Sequence, residues 1–375
     1  MPMSLSETTP LSNNHLHNSP AKRKLTSWHA NTPRLDILSV IQVNTMRETD
    51  PIQATLLNQI QTDIPVVERP FAALAAQVGT TEAEVIARIR QLKADKIIRQ
   101  ISAIFDTRSL GYASSLVAAR LDPTRVDRAA EIINRHPGVS HNYLRNHDFN
   151  LWYTIAVSPL SKFGLEKTVQ ILHEKSGAES TRLLPTLKLF KIGVKFDFGV
   201  DGEAPAYTEK HRAELKPLAP QEIEFVRYMQ RDLPVTETPF ADAPFPLEEM
   251  HRQFLATGRM RRFAAVLHHR KAGFSANAMG VWVVPYNDID RVGEQMAGLH
   301  EVSHCYRRPS YPDWPFSIFT MVHAKSQDEC EKILAAIAAK TGIQSRTALY
   351  STKEYKKVRV RYFTPDEAQW EVMHG

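Results

Sequence analysis

The stretch VSHNYLR at residues 139–145 recurs as VSHCYRR at residues 302–308. Each copy places a histidine, a tyrosine two residues later and an arginine two residues beyond the tyrosine. In a β-strand, alternate residues point to the same side of the sheet. The pattern therefore predicts two equivalent strands, each presenting a proton-transfer group and a cation on one face. A purely structural repeat does not require this combination.

The repeat extends well beyond the histidine motifs. QTDIP at residues 61–65 matches QRDLP at residues 230–234, and RQISAIFDTRSLG at residues 99–111 matches RRFAAVLHHRKAG at residues 261–273. The second copy is about seven residues shorter between its Pro-Phe pair and its arginine, and otherwise the copies stay in step. Self-similarity over this length predicts two copies of one structural unit.

The first copy predicts a winged helix-turn-helix followed by a βαββαβ, ferredoxin-like unit. Thr80 and Thr81 are predicted to cap the third helix, with Glu84 at its third position. The predicted helices and strands of the winged unit are helices 51–62, 71–78 and 82–92 and strand 97–105. Those of the ferredoxin-like unit are strand 114–121, helix 125–136, strands 139–146 and 150–157, helix 164–176 and strand 186–196.

The second copy predicts the same ferredoxin-like order. Its elements are strand 279–285, helix 288–298, strands 302–308 and 316–323, helix 327–340 and strand 352–363. The fold class is α/β (α+β), a tandem pseudo-two-fold repeat whose two sheets pack together. The predicted domains are a disordered tail (1–50), a winged helix (51–108), a ferredoxin-like domain (109–205), a degenerate winged helix (206–275) and a second ferredoxin-like domain (276–375).

Composition narrows the classes of function. A net charge of +6 and a pI near 9.2 predict an acidic partner, either nucleic acid or a polyanionic small molecule. Two cysteines, Cys305 and Cys330, provide no disulfide framework, and no CxxC spacing is present, which disfavours a structural metal site. No apolar run has the length of a membrane helix, no signal-peptide core is present, and a cytoplasmic protein is expected. The sequence also has no Gly-rich phosphate loop, so nicotinamide, flavin and pyridoxal phosphate are not expected.

Several phrases in both halves resemble the siroheme decarboxylase family, which is related to Lrp/AsnC-like regulators. The phrases are HNYLR (141–145), NLW (150–152), LP (184–185) with FKI (190–192), HCY (304–306), WPF (314–316) and EYKKVRVRYF (354–363). The resemblance spans roughly residues 51–363, and the eroded second winged helix is the clearest departure from it. That family usually works as two related subunits, and this chain resembles a fusion of both.

The resemblance implies a carboxy-lyase that converts two acetate side chains of siroheme to methyls. The product would be 12,18-didecarboxysiroheme, for haem d1 or alternative haem synthesis. No cofactor is implied, since the iron belongs to the substrate. The expected partner is siroheme or a related iron tetrapyrrole, with DNA and membranes not expected, and a homodimer of the fused chain is an open alternative.

Siroheme is a flat octa-acid, so its site needs cations and apolar surface. Arginine forks bind carboxylates with two hydrogen bonds. The predicted substrate-binding residues are Tyr143, Arg145, Trp152, Lys188, Lys191, Tyr306, Arg307, Arg308, Trp314, Lys353, Lys356 and Lys357. The tyrosines would orient the histidines or donate to a carboxylate, and the tryptophans would stack on the macrocycle. The alternatives are a solvated basic edge strand and ordinary core aromatics.

His141 and His304 are the predicted catalytic residues. Decarboxylation leaves electron density on a methylene that must gain a proton, and histidine suits that task near neutral pH. Either imidazole could instead ligate the substrate's iron, or be a core histidine bonded to backbone. Cys305 is replaced by Asn142 in the first copy, so a thiol should not be required. His268 and His269 break the repeat and are interpreted as linker surface.

Two alternatives remain, a DNA-binding regulator and a haem or siroheme sensor. The predicted recognition helix starts with Glu82 and Glu84, and carboxylates repel the phosphates of DNA. The second copy is predicted to lack an intact recognition helix, so a palindrome could not be read well. Catalytic turnover would separate the enzyme from the sensor.

Overall fold

The computed structural model of the protein describes residues 50–192, 216–267 and 276–374. Within these ranges the chain forms two copies of a winged unit followed by a ferredoxin-like unit, as the repeat predicts. Residues up to 192 are the first half here, and those from 216 are the second half. His268, His269 and nearly all of the predicted tail lie outside the described residues.

The first winged helix consists of three helices and one strand. They are α1 (Pro51–Thr62), α2 (Pro70–Val78), α3 (Glu82–Ala94) and β1 (Ile98–Phe105). The predicted cap of α3 is confirmed, because the Thr81 hydroxyl accepts a hydrogen bond from the Glu84 backbone N–H at 3.3 Å and satisfies a donor at the helix start. Gly79 ends α2 with a φ of 75°, a conformation that glycine adopts without steric cost.

The first ferredoxin-like unit ends differently from the prediction. Its elements are β2 (Ala113–Arg120), α4 (Val126–Asn134), β3 (Val139–Arg145), β4 (Leu151–Val157), α5 (Gly164–Ser176), β5 (Ser180–Leu184) and β6 (Lys188–Ile192). The strand predicted over residues 186–196 contains β6, and its residues 193–196 lie outside the described residues. Strand β5, on the other side of Pro185, was not predicted. Proline has no N–H for a ladder bond and therefore interrupts strand pairing.

The second half repeats this arrangement. Its elements are α6 (Pro220–Met229), α7 (Leu247–Ala256), β7 (Met260–Leu267), β8 (Ala276–Trp282), α8 (Ile289–Ala297), β9 (Val302–Arg307), β10 (Ile318–Ala324), α9 (Gln327–Thr341), β11 (Arg346–Leu349), β12 (Ser351–Lys357) and α10 (Asp366–His374). The strand predicted over residues 352–363 is confirmed only as far as Lys357, where β12 ends, and the separate strand β11 before it was not predicted. Helix α10 was not predicted, and its Trp370 joins the core of the first half.

The second winged helix keeps its recognition-position helix and lacks the middle one. Three residues separate α7 from β7, as three separate α3 from β1, so α7 is the counterpart of α3. The prediction that the second copy has no intact recognition helix is therefore wrong, because a ten-residue helix occupies that position. The described residues 230–246 contain no α-helix. Pro239, Pro244 and Pro246 lie in this stretch, and proline disrupts a helix interior.

Each half contributes one strand to the sheet of the other half. The two antiparallel sheets have the strand orders β12-β3-β4-β2-β5 and β11-β8-β10-β9-β6. Strand β12 pairs with β3, and β6 pairs with β9. The strands β1 and β7 also pair and join the two winged units. Both histidine strands, β3 and β9, are thus completed by the opposite half.

The two sheets pack against each other across an apolar layer, as predicted. Helices α4 and α5 cover the outer face of the first sheet, and α8 and α9 cover that of the second. The inner faces meet at a cluster that includes Trp152, Leu184, Val281, Trp314, Phe319 and Leu349. In the three described ranges, every helix is too short or too polar to cross a bilayer.

Gly293 in α8 provides a test of the strand exchange. A Cβ at this position would lie 2.3 Å from the ring of Phe190 in β6, so the ring would have to leave its position. Alanine gains about 0.5–1 kcal/mol over glycine in a helix, whereas overpacking costs about 1–3 kcal/mol. We expect Gly293→Ala to lower the free energy of unfolding by about 1 kcal/mol, measured by urea titration.

Gly298, directly after the same helix, is the matched control. A Cβ there meets nothing closer than 3.5 Å, so Gly298→Ala should leave the free energy of unfolding unchanged or raise it. If both variants are as stable as the parent chain, Phe190 does not hold β6 against α8.

Candidate active site

A β-bulge directly precedes the histidine in both histidine strands. Opposite β4, the register moves from Val139 directly to His141, leaving Ser140 as the extra residue. Opposite β10, it moves from Val302 to His304 in the same way. Bulges re-aim side chains next to active sites. Here the bulge places a serine hydroxyl 3.0 Å from the Nδ1 atom of each histidine.

The predicted histidine–tyrosine–arginine face is present in both halves. The His141 and Tyr143 ring centroids are 6.2 Å apart, and those of His304 and Tyr306 are 6.0 Å apart. The members of this set, here called the histidine face, are His141, Tyr143, Arg145, His304, Tyr306 and Arg308. Burial raises the pKa of both tyrosines, so their hydroxyls stay protonated and can donate.

The two arginines of the histidine face lie against aromatic rings and reach into the opposite half. Arg145 is 5.8 Å from the Trp152 ring centroid and donates to the Leu349 carbonyl at 3.1 Å. Arg308 is 5.4 Å from the Phe319 centroid and donates to the Leu184 carbonyl.

Neither of these two guanidiniums has a carboxylate partner among the described residues. The Nε atoms of Arg145 and Arg308 also have no hydrogen-bond partner there. Burial lowers the pKa of both side chains to about 10, so they remain charged at neutral pH. Arginine donors of this kind suit a bound carboxylate.

Both imidazoles are neutral near pH 7. Burial, followed by the charge of Lys357, lowers the pKa of His141, and Arg99 acts in the same direction. Burial and then the neighbouring His323 lower the pKa of His304. Because the ordinary histidine pKa is about 6.5, a bound anion is needed to favour the protonated form.

Three arginines beside the histidine face were missed by the sequence analysis. Arg99 acts electrostatically on His141, and Arg108 and Arg261 act on Tyr306. Arg99 and Arg261 open the two matching thirteen-residue stretches described above. Their equivalent positions in the repeat were the signal from which Arg99 and Arg261 could have been found.

Three cations near the histidine face have no ion-pair partner among the described residues, although the Glu354 carboxylate also acts on His141 and Tyr143. Arg261 pairs with Asp106 at 2.8 Å. By contrast, Arg99, Arg108 and Lys357 form no ion pair with any described residue. Arg99 and Lys357 act on His141, and Arg108 acts on Tyr306, so cations suited to a polyanion lie beside both copies of the histidine face.

Three of the predicted binding cations lie on the opposite, helix-covered faces of the sheets. Lys188 and Arg307 are cross-strand neighbours, and each lies near Asp290 of α8, at 3.4 and 3.7 Å. Lys353 pairs with Asp127 of α4 at 2.8 Å. These predictions are corrected, because alternate residues of a strand face opposite sides of the sheet.

Two further lysines bind helix ends instead of facing the histidines. Lys191 donates to the Leu299 carbonyl just after α8, and Lys356 donates to the Asn134 carbonyl at the end of α4, both at 2.7 Å. A cation is stabilising at a helix C-terminus, where carbonyls lack partners. Both are therefore also removed from the predicted substrate-binding set.

The two predicted stacking tryptophans are core residues. Trp152 is 1% and Trp314 0% exposed, and their ring centroids are 5.2 Å apart between the sheets. The structure corrects the stacking role, because neither indole face is open to a ligand. The structural counterpart of Trp152 is Phe319, since each lies opposite the tyrosine of its histidine strand.

Cys305 faces the helix layer. Its side chain is fully buried, its Sγ lies 3.6 Å from the Gly293 carbonyl, and burial raises its pKa to about 12. A thiol in this state is a poor nucleophile, in agreement with a mechanism shared with the Asn142 half. The described parts of the chain contain no cluster of three or more His, Cys, Asp or Glu suited to a metal ion.

Known protein families match both kinds of unit in the chain. A model described as an AsnC-like ligand binding domain matches residues 109–191 and 271–356, the two ferredoxin-like units. A model described as the siroheme decarboxylase NirDL-like HTH domain matches residues 53–99, the first winged helix.

Relatives that match over nearly their whole length are siroheme decarboxylases. The siroheme decarboxylase of Hydrogenobacter thermophilus is 39% identical over 328 residues, which cover 84% of this chain and 96% of that protein. The siroheme decarboxylase NirDL subunit of Paracoccus denitrificans is 32% identical over 320 residues, covering 82% and 96%. A crystal structure of the siroheme decarboxylase NirDL in co-complex with an iron-uroporphyrin III analogue has 34% identity, a TM-score of 0.70, and coverage of 86% of this chain and 97% of that one. The chain therefore belongs to the siroheme decarboxylase family, in the fused NirDL-like form.

Proposed function

We propose that this chain is a carboxy-lyase that removes carbon dioxide from two acetate side chains of siroheme and leaves methyl groups. The product would serve haem d1 or alternative haem synthesis. Besides family membership, one observation carries the proposal: cations without ion-pair partners among the described residues lie beside both copies of the histidine face, at His141 and at Tyr306. The cytoplasmic location and the homodimer stay predictions from the sequence.

The charge of the site fits a substrate with many carboxylates. Arg99, Arg108 and Lys357 form no ion pair with a described residue, and the buried guanidiniums of Arg145 and Arg308 lie beside the tyrosine rings with their Nε atoms unpaired. Guanidinium groups bind carboxylates through paired hydrogen bonds, and these are strongest where water is excluded. The iron of siroheme belongs to the substrate, and no resident cofactor is proposed.

The histidines fit the proton that the reaction needs. Loss of carbon dioxide from R–CH₂–COO⁻ leaves the bonding electron pair on the methylene carbon, which becomes a methyl group by taking one proton. In both halves the Nδ1 atom faces a serine, so Nε2 is the nitrogen left for the substrate. Ligation of the substrate's iron would use the same Nε2, so one histidine cannot do both at once.

The contacts of α3 disfavour the DNA-binding alternative. Lys93 pairs with Asp232 at 2.8 Å, and Arg90 donates to the Val235 carbonyl at 2.7 Å. Both bonds tie the recognition-position helix to the second half of the chain. Cations held in this way are not available for the phosphate contacts that position a DNA reader. A tetrapyrrole sensor would show the same site without turnover.

If Arg99 and Lys357 bind substrate carboxylates, their removal should weaken the binding of tetrapyrroles that carry carboxylates. Arg99→Gln and Lys357→Gln should each weaken iron-uroporphyrin binding about tenfold, the order expected for a charge-assisted hydrogen bond. The shift of the Soret band during titration measures this. Arg128→Gln, an exposed arginine on α4, is the matched control and should bind like the parent chain. An equal loss of affinity for a tetrapyrrole without carboxylates would contradict binding of carboxylates by these two cations.

The histidine assignment predicts that both imidazoles are required. His141→Ala and His304→Ala should each reduce turnover at least about a hundredfold, the lower bound for general acid catalysis, while the folded state persists. Anaerobic reaction followed by mass analysis measures each loss of carbon dioxide. If each histidine serves one acetate, one variant stalls at the mono-decarboxylated species. If both variants still decarboxylate both acetates at nearly the parent rate, the assignment is refuted.

The lowered histidine pKa values predict a pH dependence with a definite sign. A general acid must be protonated, and burial lowers the pKa of both imidazoles. The value of kcat/KM reports the free enzyme, so it should fall as the pH rises, with a midpoint below about 6.5. A rise of kcat/KM across the same range would indicate that the neutral imidazole is the active form.

A further inference from the structure

In the first half, the hydrogen-bonded chain behind the histidine ends in a hydroxyl. Ser140 Oγ lies 3.0 Å from His141 Nδ1 and 2.8 Å from Thr154 Oγ1. Thr154 Oγ1 itself is 3.4 Å from the same ring nitrogen. A threonine hydroxyl does not titrate in the physiological range, so this end of the chain carries no charge at any working pH.

In the second half, the corresponding chain ends in a second imidazole. Ser303 Oγ lies 3.0 Å from His304 Nδ1 and 3.0 Å from His323 Nε2. The same hydroxyl can also donate to the Met321 carbonyl at 3.1 Å. His323 is two residues after Met321, the residue opposite His304, so it lies on the same face of β10.

The first half has no imidazole at the matching position. Thr154 lies opposite His141, as Met321 lies opposite His304. The counterpart of His323 is therefore Ala156, which is buried. The half-sites share their histidine, serine, tyrosine and arginine, but only the second has an imidazole behind the serine. On the exchanged strands, Lys357 and Glu354 pair with His141 and Tyr143, whereas Ile192 and Leu189 pair with His304 and Tyr306.

The hydrogen-bond donors and acceptors at Ser303 couple the protonation of His304 to that of His323. The serine has one proton to donate and two lone pairs to accept with. While His323 is neutral with a bare Nε2, Ser303 donates to it and accepts from the Nδ1–H of a protonated His304. Once His323 is protonated it must donate to Ser303, and two cations then point at one hydroxyl. The two imidazoles therefore titrate as a pair.

Other polar and charged groups reach this pair from the neighbouring strands. Asn277 on β8 lies opposite His323, and Tyr306 follows His304 on β9. The cations Arg108 and Arg261 act on Tyr306. Burial lowers the pKa of His323, and His323 contributes to the lowered pKa of His304.

We infer that His323 is a positioning residue for the reaction at His304, acting through Ser303, and that the two halves therefore deliver their protons with different pH dependence. The inference rests on the proposed function and deepens it. It means that the repeat is chemically asymmetric at its active site. One half-site has its acid controlled by a second histidine and the other does not.

The test is a titration of the full chain carrying ¹⁵N-labelled histidine, without substrate. The His304 signals are identified by their loss in His304→Ala. His323→Gln keeps a hydrogen-bonding group at Ser303 and removes the titratable one, so the His304 pKa should rise. Ser303→Ala keeps both imidazoles and removes the bridge, so the fraction of His304 protonated on Nδ1 should fall. His251→Gln, a distant substitution in α7, should change neither quantity.

Activity provides the second readout. In His323→Gln, the loss of carbon dioxide that depends on His304 should persist to higher pH, while the other loss keeps its profile. His323→Ala should lower kcat about threefold to tenfold, as for one lost hydrogen bond, with KM nearly constant. An unchanged His304 pKa and tautomer in both His323→Gln and Ser303→Ala would overturn the inference. A chain that titrates as expected and does not decarboxylate siroheme would instead refute the proposed function.

Discussion

The reciprocal exchange of β6 and β12 is the constraint on which the rest of the molecule depends. Buried backbone groups must be hydrogen-bonded, and the two histidine strands satisfy one edge only through the opposite half. Arg145 and Arg308 add a side-chain bond to a carbonyl across the same boundary. Neither histidine face is complete in its own half, so the two copies of the repeat form a single catalytic body.

Electrostatics gives that body its function. Arg99 and Lys357 beside His141, and Arg108 beside Tyr306, form no ion pair with a described residue, and an excess of like charge disfavours the compact free protein. A ligand with several carboxylates relieves this repulsion and also favours the protonated form of the histidines beside it. Binding and activation of the acid therefore arise from the same charges. The buried arginines lie beside the tyrosine rings, and with a pKa of about 10 they stay charged at neutral pH.

Local pattern in the sequence was enough for the histidine face and most of the helices, because alternation and caps act over a few residues. Lys188, Lys191, Lys353 and Lys356 were misassigned because their orientation depends on strands that pair with the other half, a non-local choice. The burial of Trp152 and Trp314 likewise appears only when the two sheets meet. The bulges at Ser140 and Ser303 shift the strand register by one residue, and the alternation of residues in the sequence does not predict them.

The central claim is that this charged, two-histidine site decarboxylates siroheme with protons drawn from the solvent through its imidazoles. The most direct measurement is anaerobic incubation of the purified full chain with siroheme in D₂O, followed by mass and NMR analysis of the tetrapyrrole. The account predicts loss of two carbon dioxides and one deuterium on each new methyl group. Recovery of unchanged siroheme after tight binding, or new methyl groups without deuterium, would contradict it.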